Sequence, residues 1–217
     1  MTDPLPGQIR LDIYADPVCP WCLIGKAELD RALESRPDHP FAISWLPYRL
    51  DPQMPQAGMG YVAYMKMKFG DEKGILAAMK PVMEASERLG LWINPSLIER
   101  VPNTLNAHRL LYWAGLEGAQ TPVMSGLMRA HWREGRNIGN PDVLAEIGQT
   151  AGMNADMICR LLATTEDRDE IAAREIQARQ RGIGSVPTFI VAGTHVVSGA
   201  QPASLWQGVI DELTQRQ

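Results

Sequence analysis

Two changes of period within the first fifty residues restrict the fold more than anything else in this chain. The run IRLDIYAD (residues 9–16) is short, carries Ile, Leu and Tyr, and stops at Asp16-Pro17, which reads as a strand followed by a turn. From Pro20 the period becomes helical: Leu23, Ile24, Ala27, Leu29 and Leu33 recur at helix spacing with charges between them. Pro20 itself suits a first helical turn, where an amide donor has no partner to lose. FAISWLPYRLD (41–51) then alternates apolar and polar side chains and reads as a second strand. Strand, helix and strand in this order predict a right-handed crossover with the two strands parallel.

Residues 53–179 read differently. MPQAGMGY is a loop, and the segments that follow it carry helical periodicity closed by Gly, Asn or Pro, as in ILAAMKPVMEASERLG, NTLNAHRLLYWAGLEG and NADMICRLLAT. The last of them, DRDEIAAREIQARQRG (167–182), leads back towards the N-terminal unit and stops at Gly182. PTFIVAG and HVVSG follow as two strands around a tight AGTH turn, an antiparallel hairpin, and PASLWQGVIDELTQ closes the chain as an amphipathic helix. The expected organisation is an α/β core, residues 1–52 and 180–217, interrupted by a helical insertion at 53–179. The order of elements is β-α-β, helical insert, α-β-β-α.

With 217 residues, either one large domain or a core with an insertion can bury a substantial interior. A formal net charge of −4 provides no basic footprint for nucleic acid. No apolar run approaches the roughly 20 residues of a membrane-spanning helix. The opening MTDPLPGQIR has neither a basic start nor an apolar core region, so the expectation is a native start without a secretory signal. That places the protein in the cytoplasm, where thiols are kept reduced and three cysteines do not build a disulfide framework.

This context decides how DPVCPWC is read. A C-x-x-C at a strand-to-helix junction sets its first sulfur at the helix N-terminus, where unpaired amides and the helix dipole favour a thiolate. Cys22, one turn on, lies on the same side and resolves a mixed disulfide formed at Cys19. Cys19 is therefore the expected nucleophile, and the more exposed sulfur of the two. A zinc site would need a second ligand pair, whereas Cys159 and the histidines at 39, 108, 131 and 195 are scattered. No metal or other cofactor is expected. Cys159, inside the apolar stretch MICRLL, reads as a small core residue.

DPVCPWCLIGKAEL and GSVPTFIVAGTHVVSGAQP together resemble the DsbA-like branch of the thioredoxin superfamily, and its FrnE-like subfamily in particular. PNTLNAHRLLYWA (102–114) and REGRNIGNPDVL resemble that subfamily's insert. The resemblance implies a thioredoxin-like fold with a helical domain inserted after the second strand, and a thiol–disulfide oxidoreductase acting on protein or small-molecule disulfides. It also implies a cis-proline at Pro187, preceded by Val186, beside the cysteines. Such a bond turns neighbouring backbone groups outward, where they can pair with an extended substrate segment.

Pro20, Trp21, Val186 and Pro187 are thus the expected substrate contacts, Trp21 by stacking on substrate or by tuning the cysteine pair. SGAQP (198–202) opens the last helix, and helix N-termini bind anions. In glutathione-binding relatives this region holds a carboxylate, which makes Ser198, Gly199 and Gln201 candidates alongside their plainer reading as a turn and cap. Asn103 and His108 face the cleft by resemblance; as a cap and a helix histidine they are explained equally well. A second function also follows from the resemblance: glutathione-dependent transferase or isomerase, as in kappa-class and 2-hydroxychromene-2-carboxylate isomerase relatives. Those relatives carry Ser where this chain has Cys19. A chaperone-like binder using the helical cleft is a third.

Overall fold

The computed structural model describes residues 5–215; the first four residues of the N-terminal stretch discussed above, and the last two of the chain, lie outside them. In chain order the elements are β1 (Ile9–Ala15), α1 (Pro20–Glu34), β2 (Phe41–Pro47), β3 (Met59–Gly60), α2 (Tyr61–Phe69), α3 (Glu72–Arg88), a 3-10 turn (Pro95–Leu97) and β4 (Arg100–Val101). They continue with α4 (Leu105–Leu116), α5 (Gln120–Trp132), α6 (Pro141–Thr150), α7 (Ala155–Leu162), α8 (Arg168–Gln180), β5 (Thr188–Val191), β6 (His195–Ser198) and α9 (Ala203–Gln215).

The main sheet has the order β2-β1-β5-β6. β1 and β2 run parallel, from Ile9 opposite Phe41 to Ala15 opposite Pro47, so α1 is the crossover between them. β5 lies antiparallel to β1 on its other side, with Leu11 opposite Val191, and β6 closes the hairpin. β1 is therefore central, and Leu11 to Ala15 are all buried because helices cover both faces of the sheet. α1 packs on α9, while α4, α5 and α8 pack against β2.

Phe189 and Trp206, both fully buried with ring centroids 4.7 Å apart, join the hairpin to α9. One continuous apolar core runs from Leu11, Ile13 and Leu29 through Trp45 to Leu110, Val123, Met124 and Leu144, linking sheet and helices without a break. Capping is local and legible: the side chains of Asp71, Asn140 and Asn154 accept backbone N–H groups at the starts of α3, α6 and α7.

Three expectations need correction. β2 ends at Pro47 rather than at residue 51. Pro47 has no N–H to give a ladder, and beyond it the chain turns so that Leu50 N–H meets a side chain of the β1–α1 junction. The loop MPQAGMGY contains β3, which pairs antiparallel with β4 over two residues, too few to show a period. Cys159 is exposed and not a core residue. α7 turns Ile158 and Leu162 inward, and Cys159 stands one residue further round the helix.

β2 is one edge of the sheet, and Gln120 covers it at Trp45. The Gln120 side chain donates to Trp45 O at 2.9 Å and accepts from Trp45 N–H at 2.8 Å. It satisfies both backbone groups of a strand residue as a neighbouring strand would.

Candidate active site

β1 stops at Ala15, and the chain closes a turn in which Cys19 N–H donates to Asp16 O at 2.9 Å. Cys19 is then the residue immediately before α1, with extended backbone (φ −84°, ψ 118°), and Pro20 occupies the first helical position. The Cys19 carbonyl accepts the first helical bonds, from Cys22 N–H at 3.1 Å and Leu23 N–H at 3.2 Å. Its side chain is thus held at the helix N-terminus because strand, turn and proline leave it nowhere else to go. Trp132 Nε1 donates to Pro17 O at 3.0 Å and pins the same turn from α5.

Cys19 and Cys22 are both free thiols and both buried, at 4 % and 1 % exposure. The expected contrast in exposure between them is therefore small. Their surroundings differ more. Both pack into the apolar core, but Cys19 Sγ also lies 3.7 Å from Val186 O, within sulfur hydrogen-bonding reach, and lines a cavity that Cys22 does not. Burial, reinforced by the neighbouring Cys19, pushes the Cys22 thiol well above its ordinary range.

Val186–Pro187 is a cis peptide at the start of β5. The Pro187 carbonyl accepts from Gly199 N–H at 2.8 Å, and Thr188 Oγ1 donates to Ser185 O at 2.7 Å. Pro187 rests on α1 at Gly25. A methyl group there would stand 2.9 Å from Pro187 Cγ and 3.4 Å from Ala200 Cα, so the absence of a side chain lets the proline loop approach the cysteine helix.

Cys19, Pro20, Trp21 and Val186 open onto a cavity of about 600 Å³ whose other walls come largely from α2, α3, α5, α8 and the segment after β2. Tyr48, Tyr61, Tyr64, Met65, Met79, Val82 and Trp132 make it apolar and aromatic, and Lys68 and Arg179 bring positive charge to its lining. Arg179 lies on the Tyr48 ring, 4.1 Å from its centroid, and is held by the Tyr48 hydroxyl, Arg49 O and Glu175. Burial raises the Tyr61 and Tyr64 hydroxyls above their usual range, so both are neutral donors. His131 lines the same cavity, 1 % exposed; burial lowers its pKa to about 4, against a smaller opposing pull from Asp16.

The other expected site residues lie elsewhere. Asn103 spends its amide internally, donating to Met54 O at 2.6 Å and capping Leu105 N–H at 3.0 Å, and so ties the loop after β2 to the start of α4. His108, buried, faces Asp16 behind the cysteines rather than the cavity. Ser198, Gly199 and Gln201 sit beyond Pro187. Gly199 has a φ of +77° that favours glycine, and Gln201 Nε2 donates to Ser198 O at 2.7 Å.

Sequence reasoning missed Asp16, His131 and the tyrosines of the cavity. Asp16 read as the first half of an Asp-Pro turn. Its burial is visible only once Leu50 and α4 arrive from far along the chain. Among the described residues no three His, Cys, Asp or Glu side chains converge as a metal-binding set. Among them, too, no helix is long and apolar enough to cross a membrane.

A parallel β-α-β unit, a C-x-x-C at the first turn of its helix and a cis-proline loop packed on that helix define a thioredoxin-type thiol site. The DSBA-like thioredoxin domain model matches residues 10–211, and the chain belongs to that family. It is similar to the "probable DsbA oxidoreductase SCO1869" of Streptomyces coelicolor (25 % identity, 97 % of this chain and 92 % of that one, TM-score 0.84). The fold is shared with the cytosolic disulfide reductase DsbM of Pseudomonas aeruginosa, solved with GSH (18 % identity, 95 % and 99 % covered, TM-score 0.67). A 2-hydroxychromene-2-carboxylate isomerase also shares it (16 %, 95 % and 97 %, TM-score 0.70). In sequence the chain is 24 % identical to the uncharacterized protein YwbO of Bacillus subtilis (strain 168) over 205 residues, 94 % of this chain and 96 % of YwbO.

Proposed function

We propose that this protein is a cytoplasmic thiol–disulfide oxidoreductase of the FrnE-like subfamily, with Cys19 as nucleophile and Cys22 as resolving cysteine. The observation that carries the reading is the position of Cys19: at the N-terminus of α1, in contact with Val186 O, and on the wall of a roomy apolar cavity. The helix end stabilises negative charge on that sulfur as it attacks and departs. A substrate disulfide entering the cavity is attacked by Cys19; Cys22 then displaces the substrate sulfur and leaves the two cysteines joined. The reverse sequence reduces the pair and oxidises the substrate.

Substrate docks along Pro20, Trp21, Val186 and Pro187, with its backbone added to the edge at Val186. Protein disulfides and small thiols both suit a cavity of this size, and glutathione is one such partner. Ser198, Gly199 and Gln201 act as the turn and cap leading into α9, because Gly199 N–H and the Gln201 amide are already spent on Pro187 O and Ser198 O. Residues 53–179 form the inserted unit that walls the cavity, and 1–52 with 180–217 the unit that carries the cysteines.

Turnover of insulin disulfides tests this. Cys19→Ser should reduce turnover to the uncatalysed background. Full turnover by Cys19→Ser, which mimics the serine of the isomerase relatives, would transfer the site to glutathione-dependent chemistry instead.

A further inference from the structure

A central strand covered by helices ordinarily turns apolar side chains to both of its faces. β1 is central, yet at every second position it carries a polar group: Arg10, Asp12 and Tyr14. Asp12 is opposite Ile190 of β5 and Tyr14 opposite Leu46 of β2, so these residues share one face of the sheet. α8 answers with a polar flank of its own. It buries Ile171, Glu175 and Ala178 and places Arg179 in the lining of the cysteine cavity. Glu170, Arg174, Gln177 and Arg181, at steps of four, three and four residues, form a separate stripe along the helix. Between that stripe and β1 lies a second cavity, of about 400 Å³, with Leu46, Pro47 and Ile190 as its apolar wall. Neither cysteine lines it, and the thiol chemistry does not use it.

The charges in this groove do not cancel. Arg10 pairs with Asp12 at 2.7 Å and Arg174 with Glu170 at 2.6 Å. Arg181 has no carboxylate partner among the described residues and hydrogen-bonds the Tyr14 hydroxyl instead. Three guanidinium groups thus meet two carboxylates, in a chain whose formal net charge is −4. Two of the three are prepared for a ligand. Arg174 stacks on the Tyr112 ring, 4.8 Å from its centroid, and meets Glu170 through Nε, which leaves its terminal nitrogens for another acceptor. Arg181 is held beside Tyr14, a buried hydroxyl that burial raises above its usual range and so keeps neutral. The two lie about 10 Å apart along the helix, a gap that two arginine side chains can close on one ion.

Guanidinium forks take oxyanions two oxygens at a time. A phosphate has oxygens enough to accept forks from more than one direction, whereas a carboxylate presents a single edge. The cavity is much larger than a phosphate ion and has an apolar wall, which provides for an organic part. We infer that the groove between α8 and β1 is a binding site for a small organic phosphate, held by Arg174 and Arg181 with its carbon portion against Leu46, Pro47 and Ile190. Gln177, between the two arginines on the same stripe, and the Tyr14 hydroxyl complete the polar side.

Phenyl phosphate, inorganic phosphate and benzoate are the probes. Each is titrated into the full chain, labelled with ¹⁵N, at pH 7.5 and constant ionic strength, where the phosphates are largely dianions. Phenyl phosphate should give saturable shifts, largest at the amides of residues 10–14 and 170–181. Its Kd should lie at least about fivefold below those of inorganic phosphate, which lacks the ring, and of benzoate, which lacks the extra oxygens. Arg181→Gln should raise that Kd at least about tenfold, the loss expected of a charge-assisted hydrogen bond, while insulin turnover stays within about twofold of the parent. Should Arg181→Gln not fold, Arg174→Gln carries the same test. No saturable shift with phenyl phosphate, or an affinity unchanged in the folded variant, overturns the inference. Equal affinity for phenyl phosphate and inorganic phosphate would overturn the organic ligand and leave the free ion in its place.

Discussion

The two sides of the cysteine pair are built from opposite materials. In front of Cys19 the cavity is apolar and aromatic, walled by Tyr48, Tyr61, Tyr64, Met65 and Trp132, with no carboxylate among the described residues that line it. Away from that cavity, Asp16 of the β1–α1 junction meets Thr104 and His108, all enclosed. The front offers a greasy surface to which a substrate segment can adhere and a sulfur that can reach it. The back offers donors, acceptors and a carboxylate, all shut away from solvent. The division also explains why neighbouring cysteines three residues apart have such different surroundings.

The largest effect expected from disturbing this contrast is on acid stability, through His131, which lines the front and feels the charge at the back. Its pKa is about 4 in the folded protein and near 6.5 when unfolded, so below pH 6.5 the unfolded chain binds the extra proton. Stability from this group is complete above about pH 6.5 and declines as pH falls towards about 4, by roughly 3 kcal/mol in all. Urea unfolding at pH 7 and pH 4.5 should therefore show a loss in the wild type that His131→Gln largely removes. Parallel losses in both proteins would mean that another group, and not the buried imidazole, sets the acid limit.

Next in size is Gly25→Ala, which strikes the front alone. The new methyl meets the Pro187 ring and the Ala200 backbone, neither of which can swing aside as a flexible side chain would. Overpacking of this kind costs roughly 1–3 kcal/mol, a loss of about 2–4 °C in Tm per kcal/mol for a chain of this length. Disulfide turnover should fall with it, because the Val186–Pro187 loop is displaced from Cys19. A normal Tm with normal turnover would show that the loop does not depend on that close approach. The smallest effect belongs to Trp21→Ala. Trp21 is 37 % exposed, so stability should move by no more than about 0.5 kcal/mol. The change should appear in KM for protein substrates while kcat is kept, which separates stacking on substrate from tuning of the cysteines.

The same contrast explains what was legible in the sequence. Cys19, Pro20 and Cys22 could be placed at the start of a helix because the strand, the turn and the periodic run that position them are contiguous. The final hairpin and helix were readable for the same reason. The back of the site was not, because Asp16 meets Leu50, Thr104 and His108 across separations that no local period encodes. Asn103 and His108 were singled out in PNTLNAHRLLYWA, yet one anchors a loop and the other faces a carboxylate, and neither lines the cavity. Cys159 shows the limit of composition as a guide. An apolar neighbourhood in sequence became an exposed position once α7 chose which side to bury.

The central claim is that Cys19, and not Cys22, meets substrate. Cys22→Ser in the Cys159→Ser background leaves Cys19 as the single thiol of the chain. Incubated with a disulfide-bonded protein substrate, quenched with acid and analysed by mass spectrometry after proteolysis, it should accumulate a mixed disulfide through Cys19 that survives because nothing resolves it. The matching Cys19→Ser protein should trap nothing. Substrate trapped through Cys22 in Cys19→Ser, with none on Cys19 in Cys22→Ser, would contradict the account.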